Sequence, residues 1–232
     1  MDESASTPMS STKLLWTVSI RLMMSIVVLG GLVFGPAGSL SYWNGWLFLA
    51  AVFIPMTAAL IYLYRTNRSL LEKRLRLHEK QKEQKIYLKL SLVWFVISFL
   101  VPGLDYRFGW SDVPLWLIAA STVMMILGYV LFIIVLAQNT FASRIIEIQE
   151  NQRVIDTGLY SVVRHPMYMA AIIMYTATPL VLGSYFALIP TMLLPAILIY
   201  RIRNEEAVLR AGLDGYTAYT KRVKYRLIPF VY

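Results

Sequence analysis

The chain has 232 residues, of which 58% are hydrophobic and only 15% charged, and its net charge at pH 7 is +9. A soluble domain carries about a quarter charged residues, so this composition indicates an integral membrane protein. The absence of cysteine excludes disulfides, zinc–thiolate sites and a cysteine nucleophile. The two histidines, His78 and His165, are too few for a metal site built on several histidines, and we expect no metal; carboxylate ligands stay an open alternative.

The first half of the chain alternates charged blocks with apolar runs about as long as a bilayer span. Residues 1–12 are small and polar and are predicted to form a disordered tail. Four apolar runs follow, at about residues 14–34, 46–64, 86–104 and 115–137. A signal peptide is the competing interpretation of the first run, but the start is acidic and the run is longer than the hydrophobic part of a leader.

The second half contains two further apolar segments, at about residues 166–182 and 185–200, joined by a Gly-Ser turn. Each is near the short end for a span, so the pair is either two full spans or a re-entrant hairpin. We therefore predict an all-α integral membrane protein with about six transmembrane segments. Residues 13–138 hold the first four spans, and residues 139–232 form a second region, which contains the loop before the fifth segment, the hairpin and the polar C-terminal tail.

The placement of basic residues predicts the orientation in the membrane. They concentrate in the connector 65–89, at Arg164 and in the segment 201–226, whereas the outer loops hold only Arg107. The positive-inside rule then places both termini in the cytoplasm, in the plasma or inner membrane of a prokaryote or the endoplasmic reticulum of a eukaryote. Anionic lipid headgroups explain the basic blocks, so the lipid bilayer is an expected partner and nucleic acid is not.

Two polar segments meet at the predicted cytoplasmic face. The loop before the fifth segment holds Tyr160, His165 and Tyr168, and the tail after the sixth begins with Arg201 and Glu205. Arg201 and Glu205 are four residues apart and share one helix face. Each residue alone has a plainer role as a helix cap, an interfacial aromatic or a topology anchor. Together, ionisable groups beside an apolar hairpin are costly, and their convergence predicts a functional pocket.

The motifs of this region resemble those of a known superfamily. Residues 158–160 (Gly-Leu-Tyr) and 164–168 (Arg-His-Pro-Met-Tyr) are similar to the G-x-Y…R-H-P-x-Y signature of the isoprenylcysteine carboxyl methyltransferase and phospholipid methyltransferase superfamily. Residues 201–209 resemble its R-x-x-x-E-E-x-x-L segment, and residues 216–219 and 225–229 resemble its closing Y-x-x-Y and Y-R-L-I-P motifs. The resemblance covers about the last third of the chain.

The resemblance implies a methyltransferase that binds S-adenosylmethionine at the cytoplasmic face, between the loop and the last helix. By position, the residues that would line the cofactor or hold its amino-acid and ribose part are Gln152, Arg153, Val154, Ile155, Tyr160, His165, Pro166, Met167 and Tyr168. Glu205 would hydrogen-bond the cofactor, and Arg201 would orient the acceptor. His165 or Glu205 would accept a proton where the acceptor must lose one. One departure is Ala170, where many members have glycine.

Several interpretations remain open at this stage. The acceptor is lipophilic or small, either an isoprenylcysteine-type carboxylate, a phospholipid amine or a thiol, and an apolar acceptor would enter sideways from the bilayer. One alternative is an NADPH-dependent membrane sterol-type reductase, whose C-terminal end resembles residues 225–232. That family carries Asn at the position of Met167 and a Gly-Trp-Trp-Gly type segment at residues 158–161. A non-catalytic membrane protein is the other alternative.

Overall fold

The computed structural model describes residues 9–75, 82–143 and 145–232, with side chains from residue 87 onward in the second range. Within these ranges the chain is helical and contains no strand, which confirms the predicted all-α class. The first eight residues of the predicted tail, part of the basic connector with His78, and Arg144 lie outside the described residues. The helices are α1 (Ser11–Ala37), α2 (Trp43–Thr66), α3 (Arg68–Arg74), α4 (Lys82–Phe108), α5 (Leu115–Gln138), α6 (Pro166–Val181), α7 (Leu188–Thr191), α8 (Leu194–Gly212) and α9 (Tyr216–Arg222).

Four of the described helices are long and apolar enough to cross a bilayer: α1, α2, the part of α4 from Tyr87, and α5. The 24 residues of α5 extend about 36 Å, against a hydrocarbon core of about 30 Å. Their outward faces carry large apolar side chains such as Trp16 and Leu127, which suit lipid contact. These helices match the four predicted apolar runs and extend a few residues beyond most of them.

Two predicted boundaries differ from the structure. Helix α1 begins at Ser11, because the Ser10 side chain accepts a hydrogen bond from the Lys13 backbone N–H at 3.3 Å, so the last two residues of the predicted tail are helical. Part of the basic connector is also folded. Asn67 caps α3 in the same way, and Leu70 and Leu71 on α3 are buried. A helix of seven residues carries too little apolar periodicity to be recognised among so many charges.

Helices α6 to α8 form the predicted hairpin, but they divide differently from two simple segments. Helix α6 has 16 residues and is about 24 Å long, and the chain reverses at Gly183 with φ +72°. The return consists of the short α7 and then α8, which continues 12 residues past the predicted end at Tyr200. Six complete spans remain a prediction, whereas the extension of α8 carries Arg201 and Glu205 as an ordered helix.

The position of α6 depends on its close packing against α5. A Cβ added to Gly128 would lie 2.7 Å from Cγ of Met174, so the two backbones approach at this glycine. Ala170 and Ala177 on α6 are completely buried. Small residues let helices pack closely where lipid supplies no hydrophobic driving force. This packing holds the beginning of α6, where the candidate site lies, against the long apolar helices.

The reversal after α6 is tied to the end of α4 by a buried carboxylate. Asp105 is 1% exposed and accepts hydrogen bonds from the N–H and hydroxyl of Ser111, both at 2.7 Å, and from the hydroxyl of Ser184.

We expect Asp105→Ala to cost about 2–3 kcal/mol, because it leaves buried donors without an acceptor. Thermal unfolding in detergent micelles measures the loss. The exposed Asp112→Ala is the matched control, and an equal shift in both variants would contradict the assignment.

Candidate functional site

The loop between α5 and α6 is held against the end of α5. Gly158 has φ +58°, and a Cβ there would lie 2.6 Å from the Gln138 side chain, so only glycine fits. The Gln138 side-chain oxygen accepts the backbone N–H of Leu159 at 3.0 Å, and Asn139 donates to the Tyr160 hydroxyl at 2.9 Å. Burial raises the pKa of Tyr160 to about 12, so its hydroxyl keeps its proton.

A buried carboxylate, Glu206, lies at the centre of the polar network. It is 3% exposed, and its two oxygens contact Arg164 Nε at 2.7 Å, His165 Nε2 at 3.2 Å, Arg226 Nε at 3.1 Å and Arg210 Nη2 at 3.4 Å. Burial alone would raise the pKa of Glu206, but the hydrogen bonds and charges of His165 and Arg164 lower it well below its usual range. At neutral pH Glu206 is therefore an anion that joins the loop, α8 and the C-terminal segment.

The backbone reinforces the same junction. The N–H of Arg164 donates to the carbonyl oxygen of Tyr225 at 2.9 Å, and the N–H of His165 donates to that of Arg226 at 2.8 Å. The Arg164 side chain also donates to the carbonyl oxygens of residues 223 and 224, at 2.7 and 2.8 Å. The segment 223–226 is thus fastened along the loop immediately before α6.

The second polar group centres on the hydroxyl of Tyr168, on the first turn of α6. This hydroxyl accepts a hydrogen bond from Arg201 Nε at 2.7 Å and donates one to Glu205 Oε2 at 2.6 Å. The Arg201 guanidinium also lies over the ring of Tyr87, 4.6 Å from its centroid. The predicted proximity of Tyr168, Arg201 and Glu205 is therefore present, with a single tyrosine oxygen between the cation and the carboxylate.

These groups line a polar cleft between the loop, α8 and α9, with an enclosed volume of about 120 Å³. Of the residues predicted for the site, the cleft is lined by Gln152, Arg153, Val154, Ile155, Tyr160, His165, Met167, Tyr168, Arg201 and Glu205. Pro166 is the exception. It is buried as the first residue of α6 and does not line the cleft, so the structure gives it the role of starting the helix.

A larger apolar cavity of about 690 Å³ lies beside the polar cleft, between α4, α6 and α8. Its walls are mainly aromatic and aliphatic and include Trp94, Phe95, Phe132, Tyr175 and Leu198. Arg74 and Arg201 lie on its lining, and Met167, Tyr168 and Arg201 line both spaces. Ser143 and Ile145 also line both, so the cleft and the cavity meet at Tyr168 and Arg201 and at the beginning of the segment that follows α5.

Sequence reasoning missed the role of Glu206. It singled out Glu205, whereas the adjacent Glu206 binds Arg164 and His165. Successive residues of a helix point about 100° apart, so the side chains of Glu205 and Glu206 face different parts of the surroundings. Which carboxylate faces the loop depends on the rotation of α8, and that rotation is set by packing against α4 and α6.

The region that contains the cleft is similar to a known protein family. The model of the isoprenylcysteine carboxyl methyltransferase (ICMT) family matches residues 119–211, from within α5 to nearly the end of α8. The match confirms the resemblance carried by residues 158–168 and 201–209, whereas the motifs at 216–219 and 225–229 lie beyond it. Together with the four long apolar helices, it supports an integral membrane protein that is similar to this methyltransferase family over residues 119–211. No curated protein matches the chain.

The charge of Glu206 generates a prediction about stability and pH. We expect Glu206→Gln to cost about 3 kcal/mol, because it removes the anion from a buried cluster of cations. The contribution of Glu206 is complete above the ordinary glutamate pKa of about 4.3 and is lost as the pH falls through the lowered folded-state pKa. Unfolding measured from pH 7 to pH 3 should therefore show a constant difference between the variant and the wild type down to about pH 4.3 and a narrowing difference below it.

The exposed Glu150→Gln is the control for this series. It should stay within about 0.5 kcal/mol of the wild type at every pH. A constant difference between Glu206→Gln and the wild type down to pH 3 would show that the Glu206 charge does not contribute in the way described.

Proposed function

We propose that the protein transfers the methyl group of S-adenosylmethionine to an amphiphilic acceptor that carries a carboxylate. The observation that supports this proposal is the meeting of the polar cleft and the apolar cavity at Tyr168 and Arg201. A transferase of this kind needs a polar cofactor site and an apolar acceptor site that share one point. The family match supports the reaction class.

The polar cleft has the chemical character that the cofactor requires. The Glu205 carboxylate suits an ammonium group or ribose hydroxyls, and Val154, Leu209 and Leu213 supply an apolar wall for the adenine ring. When bound, S-adenosylmethionine supplies a methyl group on a positively charged sulfur. The rings of Tyr168 and Tyr160, with the Glu205 carboxylate, form an environment that attracts such a cation.

The enclosed volume of about 120 Å³ is smaller than the roughly 300–1,000 Å³ of sites for ligands of this size. We propose that one wall of the cleft moves outward when the cofactor binds. The non-helical segment 145–155 is the wall outside the helical packing, whereas α8 and the start of α6 are held by Glu206. We assign the movement to this segment.

The apolar cavity suits the acceptor. Its volume of about 690 Å³ falls within the usual range for ligand sites. Aromatic and aliphatic walls favour a hydrocarbon chain, and Arg74 and Arg201 favour an anionic head at the end nearest the cleft. Arg201, oriented by its hydrogen bond to Tyr168, would bind the acceptor carboxylate and place its oxygen towards the cofactor.

Both candidate bases are already hydrogen-bonded to other side chains, which favours a carboxylate acceptor over an amine acceptor. Nε2 of His165 is bound to Glu206, and one oxygen of Glu205 accepts the Tyr168 hydroxyl. A carboxylate needs no base, because an oxygen lone pair forms the new O–C bond while the C–S bond breaks and its electron pair stays on sulfur. The residues then contribute alignment and exclusion of water.

Calorimetric titration tests the cofactor assignment. We expect purified protein to bind S-adenosylmethionine and not NADPH, and Glu205→Ala to weaken that binding at least tenfold, because the cofactor loses a charged partner. Arg201→Ala should retain cofactor binding and lose acceptor turnover. Binding of NADPH without binding of S-adenosylmethionine would favour the reductase alternative.

Hydrogen exchange tests the proposed movement. The cofactor should slow amide exchange in residues 145–155 and leave α5 unchanged, because only the former segment moves and is then held in place by contact with the ligand. Equal protection of both segments would contradict the assignment of the mobile wall.

Paired acceptors test the head-group assignment. Amphiphiles with the same apolar chain and either a carboxylate or a primary amine should differ, with methyl transfer only to the former. The rate above pH 6 should be nearly independent of pH, because a carboxylate is already ionised there. A rate that rises towards the amine pKa with the amine substrate would favour phospholipid-type N-methylation.

A further inference from the structure

Tyr216, the first residue of α9, has a buried hydroxyl without a partner in the described part of the chain. Its side chain lines the polar cleft, the residue is 5% exposed, and its hydroxyl oxygen makes no hydrogen bond among the described residues. Burying a hydroxyl without a hydrogen bond costs free energy. The hydroxyl oxygen itself is buried, so a ligand in the cleft reaches it only when the adjoining wall of the cleft moves.

The neighbouring tyrosine shows the difference between a structural and an available hydroxyl. Tyr219 lies one helical turn further on, its ring centroid 5.7 Å from that of Tyr216, and its hydroxyl donates to the carbonyl oxygen of Tyr160 at 2.7 Å. The Tyr219 hydroxyl therefore binds the loop, whereas the Tyr216 hydroxyl makes no hydrogen bond among the described residues. Both rings belong to one apolar cluster, so their packing is comparable.

The surroundings keep the Tyr216 hydroxyl protonated. Burial raises the pKa of Tyr216, and the negative charges of Glu206 and Glu205 raise it further. A ligand atom that accepts a hydrogen bond is thus the partner that this hydroxyl can satisfy. The groups packed around the ring, Val154, Leu209 and Leu213, are apolar and suit the flat face of a purine.

We propose that the Tyr216 hydroxyl hydrogen-bonds the adenosine part of the bound cofactor. This inference rests on the proposed function and adds a binding residue to it. Tyr216 lies beyond residues 119–211 of the family match, although it is the first tyrosine of the Y-x-x-Y motif noted in the sequence. The amino-acid part of the cofactor would then lie on the other side of the cleft, towards Tyr168 and Glu205, whose hydroxyl and carboxylate are hydrogen-bonded to each other.

The test compares Tyr216→Phe with the wild type using two ligands that share adenosine: S-adenosylhomocysteine, which carries the amino-acid part, and 5′-methylthioadenosine, which lacks it. We expect the variant to bind both ligands roughly five- to tenfold more weakly, by the same factor, because one hydrogen bond to the shared part is lost. A loss for S-adenosylhomocysteine alone would place the contact at the amino-acid end and overturn the adenosine assignment.

Unfolding of the ligand-free proteins separates binding from folding. Tyr216→Phe should melt at or above the wild-type temperature, because it removes a buried hydroxyl that makes no hydrogen bond among the described residues, whereas Tyr219→Phe should melt at a lower temperature. If the wild type binds S-adenosylmethionine and Tyr216→Phe binds both test ligands unchanged, the inference fails and the proposed function stands. If the wild type does not bind S-adenosylmethionine, the proposed function itself fails.

Discussion

The arrangement of the site depends on one buried anion. Glu206 accepts contacts from cationic or imidazole groups of three separate parts of the chain: the loop before α6, α8 itself and the C-terminal segment. A carboxylate with 3% exposure is stable only because so many donors surround it. The loop and the C-terminal segment have little regular structure of their own, so this charge decides where they lie relative to the membrane helices.

Two buried acidic residues thus define the two ends of the α6–α8 hairpin. Asp105 binds the reversal after α6 through hydroxyl and amide donors, and Glu206 binds the opposite end through cations. Both ends are anchored outside the apolar packing that fills the middle. The close contact at Gly128 fixes the position of α6 against α5. Tyr168 on the first turn of α6 then lies beside Arg201 on α8.

Much of this was predictable because apolar length and motif spacing are properties of the sequence. The four long helices, the reversal at Gly183 and the proximity of Tyr168, Arg201 and Glu205 follow from hydropathy and from the hairpin. What was not predictable depends on helix rotation and on contacts distant in sequence. The division between Glu205 and Glu206, and the folded α3 inside a charged connector, are set by packing that no local pattern records.

The single hydroxyl between Arg201 and Glu205 has a thermodynamic consequence. In the proposed reaction, the acceptor anion binds the Arg201 guanidinium, which also donates a hydrogen bond to Tyr168. The cofactor binds the Glu205 carboxylate, which also accepts a hydrogen bond from Tyr168. The two ligands then do not bind independently. If one ligand changes the affinity of the other by some factor, the second changes the affinity of the first by the same factor. A tyrosine that contacts both Arg201 and Glu205 therefore couples the binding of two different molecules.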